Sequence, residues 1–347
     1  MSPPLRTAIV GFGRIAAGYR DDPLMARYFP HASHAQALTA HPGFDLLAAV
    51  DPAPAARAAA REIWRIPHVV ADAGDLPAGL GIEVAVLTLP PAARTAALAA
   101  MPDVRALLVE KPLGPTGGHL LAACARRGIK LQVNYWRRGV AAFRALAAGG
   151  LARRIGRVQA AFATYGNGVA NNGSHLVDFL RLLLGEVVAV QATGPARNGA
   201  GLPLAGDVDV SFCLNHADGS QSCVQPLDFR AFREVGLDLW GERGRLQIVQ
   251  ESLVGLWHAA GANRALQGER EVASDRAERE AFMVGEALYC LYDNLVEALQ
   301  HGRPLLSDAD NARATEEVLR AVLASAAAGG RRIGLARSPA RLDGASR

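Results

Sequence analysis

The chain has 347 residues, half of them hydrophobic and 20% charged, with a net charge of +4. That composition excludes a disordered chain or a fibrous repeat, and the length suits two domains. Arginines are interspersed with acids, and only residues 153–157 and 331–347 are locally basic. No nucleic-acid-binding stripe and no membrane span are therefore expected.

The opening Met1-Ser2-Pro3-Pro4 runs into a strand-like segment without the pattern of a secretory leader, which reads as a cytoplasmic protein. Residues 7–10 form an apolar run ending at Gly11. Similar runs cover 44–50, closed by Asp51-Pro52, and 83–88, closed by Pro90-Pro91. Two more follow, at 106–109 before Glu110-Lys111-Pro112 and at 129–133. Each reads as a buried parallel strand. Alanine-rich helical segments lie between them at 34–40, 53–62, 92–100 and 118–127. Strand and helix in alternation predict right-handed crossovers and a doubly wound sheet.

The pattern changes after residue 135. Strands are predicted at 158–165, 187–193, 207–215, 221–228, 234–240, 245–250 and 252–258. Hairpin signals stand at Asp218-Gly219 and at 241–244. The expected fold is α/β. A Rossmann domain occupies 1–135 and an α+β substrate and oligomerisation domain with a large, mostly antiparallel sheet occupies 136–335. A flexible tail follows at 336–347. The final helices, 280–300 and 309–327, are free to pack back on the first domain.

Gly11-Phe12-Gly13-Arg14-Ile15-Ala16 fits the G-x-G-x-x-G/A fingerprint directly after a strand. Gly11 permits the tight turn, and Gly13 lets a pyrophosphate approach the backbone. Ala16 allows close packing of helix on strand. Asp51, at the end of the second strand, suits the ribose hydroxyls and would repel a 2′-phosphate, which favours NAD over NADP. It lies 40 positions beyond Gly11, where about 20 is usual. Residues 19–30 are read as an insertion after a shortened helix.

Cys124, Cys213, Cys223 and Cys290 form no C-x-x-C pair and read as small buried hydrophobes. His31, His34, His41 and His68 have no partner cluster in the sequence, so no metal is expected. Of 37 basic residues only Lys111 and Lys130 are lysines, which singles out Lys111 at its strand end.

Three segments in order, Gly11–Ala16, Glu110-Lys111-Pro112 and Asn171-Asn172-Gly173-Ser174-His175-Leu176-Val177-Asp178, resemble the Gfo/Idh/MocA family of NAD(P)-dependent oxidoreductases. The resemblance implies hydride exchange with a ring CH–OH of a sugar, cyclitol or sugar nucleotide. Lys111 would polarise the oxygen, across a Lys–Pro bond that is often cis, and His175 would act as the acid/base. An ammonium stabilises a developing alkoxide, and an imidazole titrates near neutrality. Many relatives carry Asp where Asn171 stands. Asn171 is therefore read, with Asn172, as a substrate-positioning residue, because an amide exchanges no proton.

The resemblance also places Thr88-Leu89-Pro90, Glu110 and Asn134 along the cofactor, and Tyr135, Arg138 and Tyr165 near the substrate. Arg94 stands where relatives often have His, so no role carries over to it. Asp178 is read as support. Asn171, Asn172 and Ser174 are the candidate caps of a helix ending near Gly185. A homodimer or homotetramer through the second sheet is implied. Two other readings stay open: tightly held NAD serving a transient oxidation that enables elimination or glycoside cleavage, and a non-enzymatic NAD-dependent regulator.

Overall fold

The computed structural model describes residues 3–20, 22–198 and 202–336. Beyond Ala336 the expected tail lies outside the described residues. The chain divides into two units, one formed by Met1–Ala141 with Met283–Ala312, the other by Ala142–Phe282 with Arg313–Arg347.

The first unit opens with β1 (Leu5–Val10), the four-residue α1 (Arg14–Ala17), α2 (Pro23–Tyr28) and α3 (His34–Ala40). It continues with β2 (Phe44–Val50), α4 (Pro54–Glu62), β3 (His68–Val70), β4 (Val84–Leu87) and α5 (Pro91–Ala99). Then come β5 (Ala106–Val109), α6 (Gly117–Arg127) and β6 (Lys130–Val133). All pairings are parallel and the strand order is β3-β2-β1-β4-β5-β6. This is the doubly wound dinucleotide-fold order, with its switch point between β1 and β4. The spacing from Gly11 to Asp51 is taken up by the short α1 followed by α2 and α3.

Strand alternation sorts the core into two faces. Val10, Ala85, Leu87, Leu107 and Val109 pack with Leu98 of α5 and Leu120 of α6. Ile9, Val84, Val86, Ala106 and Leu108 pack with Ala16 of α1, Leu38 of α3 and Ala60 of α4.

The second unit runs through α7 (Ala141–Ala145), α8 (Leu151–Ile155), β7 (Val158–Tyr165) and α9 (Ser174–Leu184). Its following strands are β8 (Val187–Ala192), β9 (Phe212–His216), β10 (Gln221–Pro226), β11 (Gly236–Gly241) and β12 (Gly244–Val249). Next are β13 (Val254–Ala262), β14 (Arg270–Val272) and β15 (Glu278–Ala281). The chain then forms α10 (Ala287–His301), α11 (Ala309–Ala327) and β16 (Ile333–Gly334). The ten-stranded sheet has the order β14-β13-β12-β11-β7-β10-β9-β8-β16, with β15 beside β13. Only the β7–β10 pair is parallel. Leu288, Leu291, Tyr292 and Leu295 of α10 join the first unit's core on the face that holds α1, α3 and α4.

Four expectations need correction. The strand expected at 207–215 starts at Phe212, and residues before it form one bridge, Arg197 with Asp209. The helix expected from 280 starts at Ala287. Residues Glu278–Ala281 instead pair with β13, where the Trp257 indole donates to Glu280 at 2.6 Å. Among the cysteines only Cys124 is buried. Cys213 and Cys223 face each other across β9 and β10 with their sulfurs 3.0 Å apart. His34 does have partners, described below.

Candidate functional site

In the first unit, one row of main-chain hydrogen bonds orders the expected site residues. The first residue after each strand donates its N–H to the last carbonyl of the neighbouring strand. Asp51 bonds Val70, Gly11 bonds Val50, Thr88 bonds Val10, Glu110 bonds Leu87 and Asn134 bonds Val109, at 2.8–3.2 Å. Asp51, Gly11, Thr88, Glu110 and Asn134 thus line the carboxyl edge of the sheet, where open parallel sheets bind their ligands.

Gly11 has φ +90°, and a Cβ there would lie 2.9 Å from the Thr88 hydroxyl. Only glycine fits that turn. The Thr88 hydroxyl donates to the Gly11 carbonyl and, at 3.1 Å, to that of Val10. Gly13 is different. Its backbone is extended, and a Cβ there would meet no protein atom within 4 Å. The open space beside it is what a pyrophosphate needs. Phe12 is buried in the core, and its N–H donates to Asp51 Oδ2 at 2.6 Å. The other Asp51 oxygen accepts from Ala53 N at 2.8 Å. An ionised carboxylate has about four acceptor positions, so capacity remains for a diol. Arg14 is exposed and Ile15 half-buried, as are Thr88 and Leu89, while Pro90 is exposed.

The Lys111–Pro112 bond is cis, as the resemblance implies. Arg94, only 2% exposed, donates to the carbonyls of Leu89 at 3.1 Å and Pro112 at 2.7 Å. It ties the turn after β4 to the one after β5, a role that sequence reasoning missed. The neighbouring Glu110 side chain is 12% exposed and accepts from His34 Nε2 at 3.0 Å and from Asn134 Nδ2 at 2.6 Å. Burial opposes its charge. The His34 ring, the Asn134 amide and the Lys111 ammonium outweigh burial and hold the carboxyl below its usual range. With its nitrogen committed to Glu110, Asn134 keeps a buried Oδ1 without a hydrogen-bond partner. An orphaned buried acceptor is costly, and an amide N–H2 of a ligand would satisfy it. The Gly13 space and the Asn134 acceptor both fit a nicotinamide dinucleotide.

Tyr135 is 1% exposed and belongs to the core beneath the sheet, which corrects its expected place against substrate. Arg138 is half-buried. Arg137, buried, stacks its guanidinium 4.3 Å from the Trp136 ring centroid.

In the second unit, β7 leads through Gly166-Asn167-Gly168 into a π-helical turn, Val169–Gly173, and then α9. At the start of α9, Ser174 Oγ donates to the Asn171 carbonyl at 2.7 Å. Asp207, from a distant segment, holds the turn before the helix. Its carboxylate accepts from Ala170 N at 3.0 Å, Asn171 N at 2.9 Å and Val208 N at 2.9 Å. Gly168, at φ +92°, makes room, since a Cβ there would sit 2.0 Å from Asp207 Oδ2. Asp209 accepts from Gly168 N at 3.1 Å.

On this scaffold Asn171, Asn172 and His175 are half-buried, and Asn172 keeps a buried Nδ2 without a hydrogen-bond partner. That orphaned donor suits a hydroxyl or carbonyl oxygen of a ligand. Asp178, 1% exposed, accepts from Thr315 at 3.3 Å and lies 3.8 Å from Arg181, which itself holds Glu186 at 2.7 Å. It is a structural anchor. Tyr165 is also corrected. It is fully buried, and its hydroxyl donates to the Val210 carbonyl at 2.8 Å and accepts from Val210 N at 2.9 Å. Burial pushes its phenol well above the usual range, so neither contact nor proton exchange with substrate suits it.

The sequence matches no family model and no curated protein. The fold matches many solved structures. An oxidoreductase from Agrobacterium radiobacter, solved with NAD+, L-tartaric acid and magnesium, is 18% identical. The match covers 95% of this chain and 98% of that one with a TM-score of 0.70. The WlbA dehydrogenase from Bordetella pertussis, solved with NADH and UDP-GlcNAcA, is 20% identical, with coverage of 96% and 100% and a TM-score of 0.70. An NAD-binding oxidoreductase from Klebsiella pneumoniae is 15% identical, with coverage of 96% and 100% and a TM-score of 0.71. The chain has the two-part α/β fold of these oxidoreductases over nearly its whole length. Among the described residues, no helix is long and apolar enough to cross a membrane and no group of three or more His, Cys, Asp or Glu is placed to hold a metal.

Proposed function

We propose that this chain is an NAD-dependent oxidoreductase of the Gfo/Idh/MocA type. Its substrate would be the ring CH–OH, or the corresponding ketone, of a sugar, cyclitol or sugar nucleotide. The observation that carries this is the carboxyl-edge row from Asp51 to Asn134, with the open space at Gly13 and the unfilled Asn134 acceptor within it. The solved complexes of the Agrobacterium and Bordetella proteins, with a hydroxy acid and a nucleotide sugar, support the polyhydroxylated substrate class.

Gly11 to Ile15, Asp51, Thr88 to Pro90, Glu110, Lys111 and Asn134 would hold the dinucleotide. When bound, the nicotinamide supplies a hydride acceptor or donor. Asp51 favours an unphosphorylated ribose, since a second anion beside its carboxylate would be repelled. Lys111 donates a charged hydrogen bond to the reacting oxygen and stabilises it as an alkoxide. His175 takes up the hydroxyl proton in oxidation and returns it in reduction. Asn171 and Asn172 orient the ring by hydrogen bonds, and Arg138 is placed to meet an anionic group. The active form is a homodimer or homotetramer built through the second unit's sheet.

The first test is to denature freshly purified protein and identify what it releases by mass spectrometry, then to follow NADH formation with candidate sugars. Lys111→Ala is expected to lower turnover by about 10²-fold or more, the scale of one oxyanion donor, while the protein still folds. Near-full activity in that variant overturns the assignment.

A further inference from the structure

The buried polar row behind Glu110 has a direction. Tyr292 of α10 is fully buried, and its hydroxyl lies 2.7 Å from His34 Nδ1. His34, fully buried at the first position of α3, reaches Glu110 Oε1 with Nε2 at 3.0 Å. Its helix start is fixed locally: Ser33 caps the Gln36 N–H, and the Gln36 side chain returns to the Ser33 N–H at 3.1 Å.

A carboxylate only accepts hydrogen bonds, so Nε2 carries a proton. Tyr292 has no other hydrogen-bond partner for its O–H among the described residues. A buried O–H left without an acceptor costs roughly 1–3 kcal/mol. Nδ1 is therefore the acceptor for that O–H. Protons point one way along the row, from Tyr292 to His34 to Glu110, and Asn134 donates to the same Glu110 oxygen at 2.6 Å. Around Glu110 stand His34 from α3, Tyr292 from α10 behind it, Asn134 after β6 and Lys111 as the next residue. Of these, Lys111 is the cation next to the carboxylate in the chain.

We propose that Tyr292 and His34 are positioning residues for the Lys111 ammonium: two hydrogen bonds in series fix Glu110 as a carboxylate beside it, and that fixed negative charge keeps Lys111 protonated. Burial and the Glu110 charge keep the Tyr292 phenol protonated, so it stays a donor across the working pH range. The catalytic consequence rests on the function proposed above, in which a charged Lys111 stabilises the alkoxide. The charge relation itself does not.

The chain offers a direct readout, because Lys111 and Lys130 are its only lysines. Protein labelled with 13C-lysine, without substrate or cofactor, gives two titrating side-chain signals by NMR, and Lys130→Arg assigns them. His34→Phe removes the donor to Glu110. The Lys111 midpoint is expected to fall by about one pH unit or more, a tenfold change in its proton affinity. His34→Gln places an amide N–H near the position of Nε2 and should hold the midpoint near the wild-type value. Glu110→Gln, which removes the charge itself, should lower it at least as far as His34→Phe, which only frees the carboxylate to turn away. The double variant should lower it no further than Glu110→Gln, since neighbours acting through one group are not additive. Tyr292→Phe should shift it in the same direction by less, and decides the matter if His34→Phe fails to fold.

An unchanged Lys111 midpoint in folded His34→Phe overturns the proposal, as does additivity in the double variant. A shifted midpoint in a protein that reduces no NAD with any sugar keeps this relation and removes the proposed activity. Turnover with an unshifted midpoint does the reverse. Where both hold, the basic limb of the kcat/KM pH profile moves with the midpoint.

Discussion

At the scale of single residues, the two fingerprint glycines separate folding from binding. Gly11 is demanded by the protein: its φ of +90° and the 2.9 Å approach to Thr88 leave no room for a side chain. Gly11→Ala is expected to destabilise by at least about 1–2 kcal/mol, the cost of a left-handed L-residue, seen as a lower unfolding midpoint. Gly13→Ala meets no protein atom and should leave that midpoint alone while weakening NAD binding by calorimetry. Glu110 adds a pH signature. Its folded-state value is depressed below the ordinary 4.5, so its stabilisation is complete above that pH and is lost as the pH falls through the lower folded value. Chemical unfolding at a series of pH values should show wild type losing more stability below about pH 4.5 than Glu110→Gln does. The fingerprint and Lys111 were legible in sequence because their meaning is local: a glycine pair after a strand, a lysine at a strand end. His34 was not, because Glu110 lies 76 positions from it and Tyr292 lies 258. Arg94 was equally hidden, because it acts on carbonyls rather than on a motif.

At the scale of elements, α9 shows why pattern reading finds a helix but not what sets its start. The apolar spacing of Leu176, Phe179, Leu180 and Leu183 and the stop at Gly185 were visible. The start looked self-sufficient, with Asn and Ser at the right positions. The turn that precedes the helix is held by Asp207, 36 positions from Asn171, which no local pattern announces. The same long reach explains the shortened β9, whose expected first residues serve the π-helical turn. Asp207→Ala removes the acceptor for three N–H groups. A cost of about 1–2 kcal/mol is expected from a lost cap, read by chemical unfolding. Because Asn171 and His175 sit on the turn it holds, turnover should fall more than that loss of stability explains. Asp207→Asn, which keeps one acceptor oxygen, should recover part of both.

At the scale of the molecule, the order of the parallel sheet followed from alternating strands and helices, and only β3, three residues long, was too short to announce itself. The second sheet was harder. Its parallel β7–β10 pair joins segments far apart in sequence, and β14, β15 and β16 are two to four residues each. Which of its faces is open could not be read from alternation, since both faces of β7 carry apolar residues. The structure decides it. Ala161, Ala163 and Tyr165 are buried while Phe162 is 52% exposed, and Trp240 and Val249 on neighbouring strands are only half-covered. Apolar side chains left open on a sheet face are candidates for burial against a partner. With a second copy of this chain as occupant, wild-type protein should sediment as a multiple of its 36.5 kDa chain mass at micromolar concentration. Phe162→Glu sets like charges against each other across a symmetric interface. It should shift the distribution toward the single-chain mass without changing circular dichroism. A wild-type protein that sediments as one chain rules out the oligomer and leaves the open face to another partner.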